Sequence, residues 1–231
     1  MSIPNLLLIE TSTEVCSVAL SAGESIISYR VVKEAKSHAR VIAPLINEVL
    51  EEGGLTIDKC DAIVVSEGPG SYTGLRVGVS IAKGLCYGAN KPLIAVSSLE
   101  LLARLAIREG GILPGSVIVS MIDARRMEVY AAKFDSLCNP LSAVEAIILD
   151  DSSFSLELSN GPVVFSGEGA RKFMSVVNNP NAHFALIDAD ARGMVTSALK
   201  KYTKGDFVDV AYFEPFYLKD FVAGITKKRL L

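Results

Sequence analysis

Ser66-Glu67-Gly68-Pro69-Gly70-Ser71-Tyr72-Thr73-Gly74-Leu75-Arg76-Val77-Gly78 is the stretch on which the reading of this chain turns. It follows Ala62-Ile63-Val64-Val65, an apolar run with the length and β-branched content of a buried strand. It opens into a segment of helix length that still keeps Gly74, Gly78, Gly84 and Gly88. Each interior glycine costs a helix roughly 1 kcal/mol against alanine. Their retention needs a packing reason, and the simplest is close approach of another backbone. From Thr73 to Tyr87 the polar positions Arg76, Ser80, Lys83 and Tyr87 fall on one narrow stripe. The rest of the girth is apolar or small, the pattern of a helix buried on more than one side. Two arrangements satisfy it. One is a central helix inside a single large domain. The other is a helix that covers its own sheet and meets a second subunit, with Gly74, Gly78 and Ala82 as a smooth strip between them.

The chain has 231 residues, 50% of them hydrophobic, and a formal net charge of −3. That is enough for one large domain or two lobes with a sizeable core. The acidic balance argues against an autonomous nucleic-acid binder, which carries a basic excess. The one basic cluster, Lys227-Lys228-Arg229, reads as a solvated tail. No run of about 18 apolar residues is present to span a bilayer, and the N-terminus lacks a basic leader, so a cytoplasmic protein is expected. Cys16, Cys60, Cys86 and Cys138 lie far apart in apolar surroundings and read as buried free thiols.

Working outward, Leu6-Leu7-Leu8-Ile9 is a strand ending at Glu10-Thr11-Ser12-Thr13, and strands at 15–20 and 26–32 complete an antiparallel meander. Ser37 is placed to cap a helix carrying Ile46, Val49 and Leu50, with Pro44 either delaying its start or kinking it. A short strand at 93–96 and a helix capped by Ser97 or Ser98 follow the glycine helix. Gly110 to Gly115 marks the boundary between an N-terminal lobe, 1–108, and a C-terminal lobe, 109–207. The aromatic segment 208–231 is expected to close back on the first lobe. Beyond the boundary the pattern restarts: the strand 117–122 ends in Asp123, and Ala124-Arg125-Arg126 turns into a strand at 127–134. Ile9-Glu10 and Ile122-Asp123 occupy equivalent places, which suggests a duplicated architecture. Strands at 146–149 and 162–165 and helices at 170–177 and 195–201 complete the second half.

Two acid-tipped hairpins and a strand–glycine turn–helix make the layout of a phosphate-binding cleft, because backbone N–H groups at such turns favour phosphate oxygens. An acid at each strand end could hold a magnesium-bound water or a reacting hydroxyl. Set against this, Glu10 could be satisfied by its own turn, and Asp123 could form a structural ion pair with Arg125 or Arg126. Gly68-Pro69-Gly70 is no Walker loop. Arg76 could orient a carboxylate or phosphate, but fixing the loop is the preferred role. His38 and His183 lack a ligand-spaced partner and no Gly-x-Ser-x-Gly elbow exists, so neither a metal site nor a catalytic residue is assigned.

Ile9-Glu10-Thr11-Ser12-Thr13, the glycine block, Asp123-Ala124-Arg125-Arg126-Met127-Glu128-Val129-Tyr130 and Glu214-Pro215-Phe216-Tyr217-Leu218 together resemble the TsaB (YeaZ) family. The resemblance implies an α/β chain with the actin/Hsp70/sugar-kinase fold: two related lobes with mixed sheets flanked by helices. It implies a non-catalytic relative of TsaD, required for threonylcarbamoyladenosine in tRNA. TsaD would be the partner, a TsaE-type ATPase would join the complex, tRNA would be met through it, and the chain alone would form a homodimer. TsaD holds a metal partly through a His-x-x-x-His pair that this chain lacks. By the same resemblance the partner surface would be His38, Val41, Ile42 and Leu45 on one helix, with Gly74, Leu75, Gly78, Ile81, Ala82 and Leu85 on the next. The family usually has aspartate in place of Glu10 and often phenylalanine in place of Tyr72. Ser166-Gly167-Glu168-Gly169 stands where the superfamily cradles adenosine. ATP or ADP on Glu10, Thr11, Ser12, Asp123, Gly167 and Gly169 is therefore the competing expectation, and an ATP-dependent phosphotransferase or ATPase the competing function.

Overall fold

The computed structural model describes residues 3–34, 37–109, 112 and 115–219. In the first sheet β1 (Asn5–Glu10), β2 (Val15–Ala22) and β3 (Ser25–Lys33) form an antiparallel meander. The strands β4 (Ala62–Gly68) and β5 (Leu93–Ser97) run parallel to β1 on its other side, giving the order β3-β2-β1-β4-β5. The second sheet repeats this. β6 (Val117–Asp123), β7 (Glu128–Phe134) and β8 (Glu145–Ile148) form the meander, and β9 (Val163–Ser166) and β10 (Ala182–Ala185) extend it in parallel. Glu10 and Asp123 end corresponding strands, so the two related lobes with mixed sheets are present.

Among the described residues, six α-helices complete the layers: α1 (His38–Glu52), α2 (Tyr72–Ala89), α3 (Ser98–Arg108), α4 (Ser155–Asn160), α5 (Ala170–Met174) and α6 (Val195–Lys204). The period-two alternation of each central strand decides where they go. Leu7 and Ile9 point into one apolar cluster with Ile42, Ile46, Val49 and Val79 from α1 and α2. Leu6 and Leu8 point into another, which holds α3, α6 and Ile118 and Ile122 of the second sheet. Val119 and Met121 face a third, with Phe165 and Phe173. α3 and α6 thus lie between the sheets. The segment expected in the second lobe also pins the first: Ala191 N donates to Ser17 Oγ at 2.9 Å and Lys201 Nζ to the Ala95 carbonyl at 2.8 Å.

Local signals hold in most places. Ser97 caps α3, its Oγ accepting from Leu99 N at 3.3 Å. α1 starts directly after Ser37 and runs through Pro44, so its start is not delayed; the Ser37 hydroxyl donates back to the Glu34 carbonyl rather than capping. α5 ends at Met174, short of the expected 177. α4 and β10 are additions to the expected elements. Residues 208–219 cross the first lobe as a strap: Val208 bridges Leu93, and Phe216 N donates to the Glu67 carbonyl at 2.7 Å. Gly68, at φ +112°, leaves the room this needs, since a Cβ there would meet the Phe216 carbonyl oxygen at 2.6 Å. The basic cluster at 227–229 and Phe221 lie outside the described residues, as does most of the glycine-rich boundary.

The glycines of α2 correct the expected strip. A Cβ on Gly74 would collide with the Thr11 carbonyl oxygen, and one on Gly78 with Thr11 Oγ1. This face lies on the end of β1 and is unavailable to a neighbour. Gly84 and Gly88, by contrast, face open space. Gly74→Ala and Gly78→Ala are predicted to destabilise the chain by about 1–3 kcal/mol through overpacking. Gly84→Ala is predicted to stabilise it by up to about 1 kcal/mol through helix propensity. Denaturant melts of the three variants check the opposite signs.

Candidate functional site

The hairpins that could handle phosphate are built differently in the two lobes. In the first, Glu10, Thr11 and Ser12 are 0% exposed. Glu10 Oε1 accepts from Ser12 N at 2.5 Å, and the Ser12 carbonyl accepts from Ser71 N at 2.7 Å. Gly70 sits so close to Ser12 that no side chain would fit between them. The loop entering α2 therefore fills the turn. Burial pushes the Glu10 carboxyl up to about 7, against the pull of the hydrogen bond from Ser12 N. Among the described residues, Glu10 Oε2, Thr11 Oγ1 and Ser12 Oγ have no hydrogen-bond partner.

In the second lobe Asp123 is exposed. Its Oδ1 accepts from Arg125 N at 2.6 Å and from Lys172 Nζ at 2.7 Å. The ion pair expected with Arg125 or Arg126 is not formed, because α5 brings Lys172 to the carboxylate first. Gly167 (φ +99°) and Gly169 are buried against Met121 and Ile122 of β6. The space that their missing side chains would leave for adenosine is occupied by the chain itself. Glu168 between them is pushed up to about 7 by burial. Of the six residues expected to touch nucleotide, only Asp123 is exposed.

The outer face of α1 and α2 is the other candidate. His38, Ile42, Leu45, Gly74, Leu75, Gly78 and Ala82 are buried within the chain, while Val41, Ile81 and Leu85 are half-buried. An open groove of about 660 Å³ runs between the helices, lined by Ala39, Ile42, Tyr72, Thr73, Arg76, Val77, Ser80 and Ile81. Beyond it Tyr87 is 88% exposed beside the open Gly84 and Gly88. Arg76 lies over the Tyr72 ring at 4.3 Å and donates to Tyr217 Oη at 3.3 Å. Its role is to tie the strap to the mouth of the groove. The small strip expected at Gly74, Gly78 and Ala82 is turned inward; Ser80, Gly84 and Gly88 make an outward small strip, with Arg76 and Tyr87 around it.

Comparison with known proteins follows the same lines. The family described as TsaD, tRNA N6-adenosine threonylcarbamoyltransferase, matches residues 32–227. The tRNA threonylcarbamoyladenosine biosynthesis protein TsaB of Escherichia coli (strain K12) is 30% identical over 227 residues, covering 94% of this chain and 96% of that one. The structure of YeaZ from Pseudomonas aeruginosa matches with a TM-score of 0.82 at 26% identity, over 94% of this chain and 100% of the other. The ADPNP-bound activator of the 2-hydroxyisocaproyl-CoA dehydratase from Clostridium difficile matches with a TM-score of 0.53 at 12% identity, over 87% of this chain and 97% of that one, and shares the fold alone. With its duplicated lobes and a match along nearly its whole length, the chain belongs to the TsaB family, within the wider TsaD-type group that carries the actin/Hsp70/sugar-kinase fold.

Proposed function

We propose that the chain is a non-catalytic scaffold subunit for the formation of threonylcarbamoyladenosine in tRNA, docking through α1 and α2 onto a TsaD-type catalytic subunit. One observation carries this reading. The first hairpin, which a phosphate-handling member of the fold would keep open, is packed shut by α2, while the outer side of the same helix pair stays open. A chain built this way offers a surface rather than a reaction site. The family match to a threonylcarbamoyltransferase suits a sister of the enzyme. In the assembly a TsaE-type ATPase joins the pair, tRNA is met through the complex in the cytoplasm, and the chain alone pairs with itself through the same face. No cofactor is assigned to it.

The face has the composition of a docking site. Val41, Val77, Ile81 and Leu85 are half-buried apolar side chains, and each apolar Å² removed from water contributes about 25 cal/mol before association costs. Gly84→Phe points a bulky group into open space, so the monomer's melting temperature is expected to hold. Affinity for the TsaD-type subunit, measured by calorimetry, is expected to fall at least about tenfold, roughly 1.4 kcal/mol. Undiminished affinity removes the docking face.

Glu10 separates the scaffold from an enzyme. Its carboxyl titrates near 7 in the fold against 4.5 as an ordinary glutamate, so the folded chain binds the proton more tightly. The Glu10 contribution to stability is therefore fully present below pH 4.5, is lost as pH rises from 4.5 to 7, and stays lost above. Glu10→Gln should raise stability above neutrality, by at most about 3 kcal/mol, and change little in acid. Glu168 shifts the same way and keeps its own share of the slope. The reconstituted modification activity should survive Glu10→Gln; a phosphotransferase or ATPase using Glu10 would lose turnover.

A further inference from the structure

The tip of the β6–β7 hairpin has features that neither the fold nor the docking face uses. Ala124 N donates to the Glu128 carbonyl at 3.0 Å, and Arg125, Arg126 and Met127 span the turn beyond that pair, all exposed. Arg125 has φ 74° and Arg126 φ 49°, both in the left-handed region that favours glycine or asparagine. Two bulky residues stand where the backbone would be more relaxed without them. Among the described residues neither guanidinium has a carboxylate partner. The adjacent acids are engaged elsewhere: Asp123 by Lys172 and by the Arg125 N–H, Glu128 by Lys219.

We propose that this tip contacts the phosphate backbone of RNA through Arg125 and Arg126. Four cations, Arg125, Arg126, Lys172 and Lys219, gather around the carboxylates Asp123 and Glu128, so the tip is locally basic on a chain whose net charge is −3. Behind the turn stand Glu168, which is half-buried and accepts from Asp123 N at 3.4 Å, and Asp188, which is paired with Lys33. Guanidinium groups bind phosphate oxygens through paired donors, and a projecting tip without a recess reads charge rather than base identity. A mononucleotide fits less well. Its phosphates would need the opposite hairpin, whose Thr11 and Ser12 are sealed. The contact rests on the proposed role in tRNA modification, and it is one part of a larger RNA surface, since the acidic chain alone lacks the charge to hold RNA.

The test uses the reconstituted pair of this chain with its TsaD-type partner and an in-vitro-transcribed tRNA. The double variant Arg125→Asn/Arg126→Gly relaxes the turn and removes both charges; Arg125→Lys/Arg126→Lys keeps the charges. The first should melt at or above the parent temperature yet bind tRNA roughly tenfold more weakly at 0.1 M salt, with the salt slope of log K reduced by about one to two. The second should retain most of the affinity and slope. Equal tRNA binding by the Asn/Gly variant overturns the proposal, as does a lowered melting temperature in that variant, which would make the arginines structural. Loss of ATP binding with tRNA binding unchanged also overturns it. Pair assembly, followed by size exclusion in the same samples, tests the docking reading separately. A pair that forms and binds tRNA whatever stands at 125 and 126 removes the RNA contact and leaves the docking face intact; a parent pair that fails to form removes both.

Discussion

The contact between α2 and the end of β1 is the constraint on which the rest depends. Gly74 and Gly78 present bare backbone to Thr11, and nothing larger than hydrogen fits there. The two glycines cost α2 roughly 2 kcal/mol of helix propensity. Burial of Leu75 and Val79 on the same helix offsets this at about 1.5–3 kcal/mol each. The close approach then sets everything around it. It carries Gly70 onto Ser12, closes the first hairpin, and holds Glu10 in a buried site that favours its protonated form. It also fixes which side of α2 is left for solvent or a partner.

Much of the fold was legible because its signals are local. The apolar runs of β1, β4 and β6, the acids that end β1 and β6, the Ser97 cap and the repeated strand–acid–turn unit each sit within a few residues. What was not legible depends on depth and on distant partners. Four glycines at helical spacing say that something comes close; they do not say whether it is the chain's own β1 or another molecule. Only the position of Thr11 divides Gly74 and Gly78 from Gly84 and Gly88. Asp123 lies two residues from Arg125, yet its salt-bridge partner is Lys172 on α5, which no spacing rule would select. The short α4 and β10 were missed for the same reason. They are held by an aromatic cluster of Phe154, Phe165, Phe173 and Phe184, drawn from separate elements, with Phe154 itself at φ 59°.

The duplication explains why the open helical groove belongs to one lobe. Both sheets have the same strand order, but the connections that cover them differ in size. On the first sheet they are helices of 15 and 18 residues; on the second, the corresponding helices have 6 and 5. Only the long pair can present two full helical flanks with a groove between them. The short pair instead leaves the second hairpin exposed, with its charges in reach of solvent. From one repeated topology the chain obtains a sealed hairpin beneath a broad helical face and, in the other lobe, an open hairpin with a basic tip.

The layer between the sheets ties the two lobes into one body. Enzymes that sequester a substrate between lobes or beneath lids need an element free to move. Here α3 and α6 belong to a single apolar cluster that includes Leu6 and Leu8 of one sheet and Ile118 and Ile122 of the other. Moving the lobes apart would expose that shared core, and burying one aliphatic side chain already contributes about 1.5–3 kcal/mol. Polar ties reinforce it: Ser166 Oγ donates to the Leu102 carbonyl, Ala191 N to Ser17 Oγ, and Lys219 of the strap reaches Glu128 in the second lobe. A body so pinned holds the outer faces of its lobes in fixed relation.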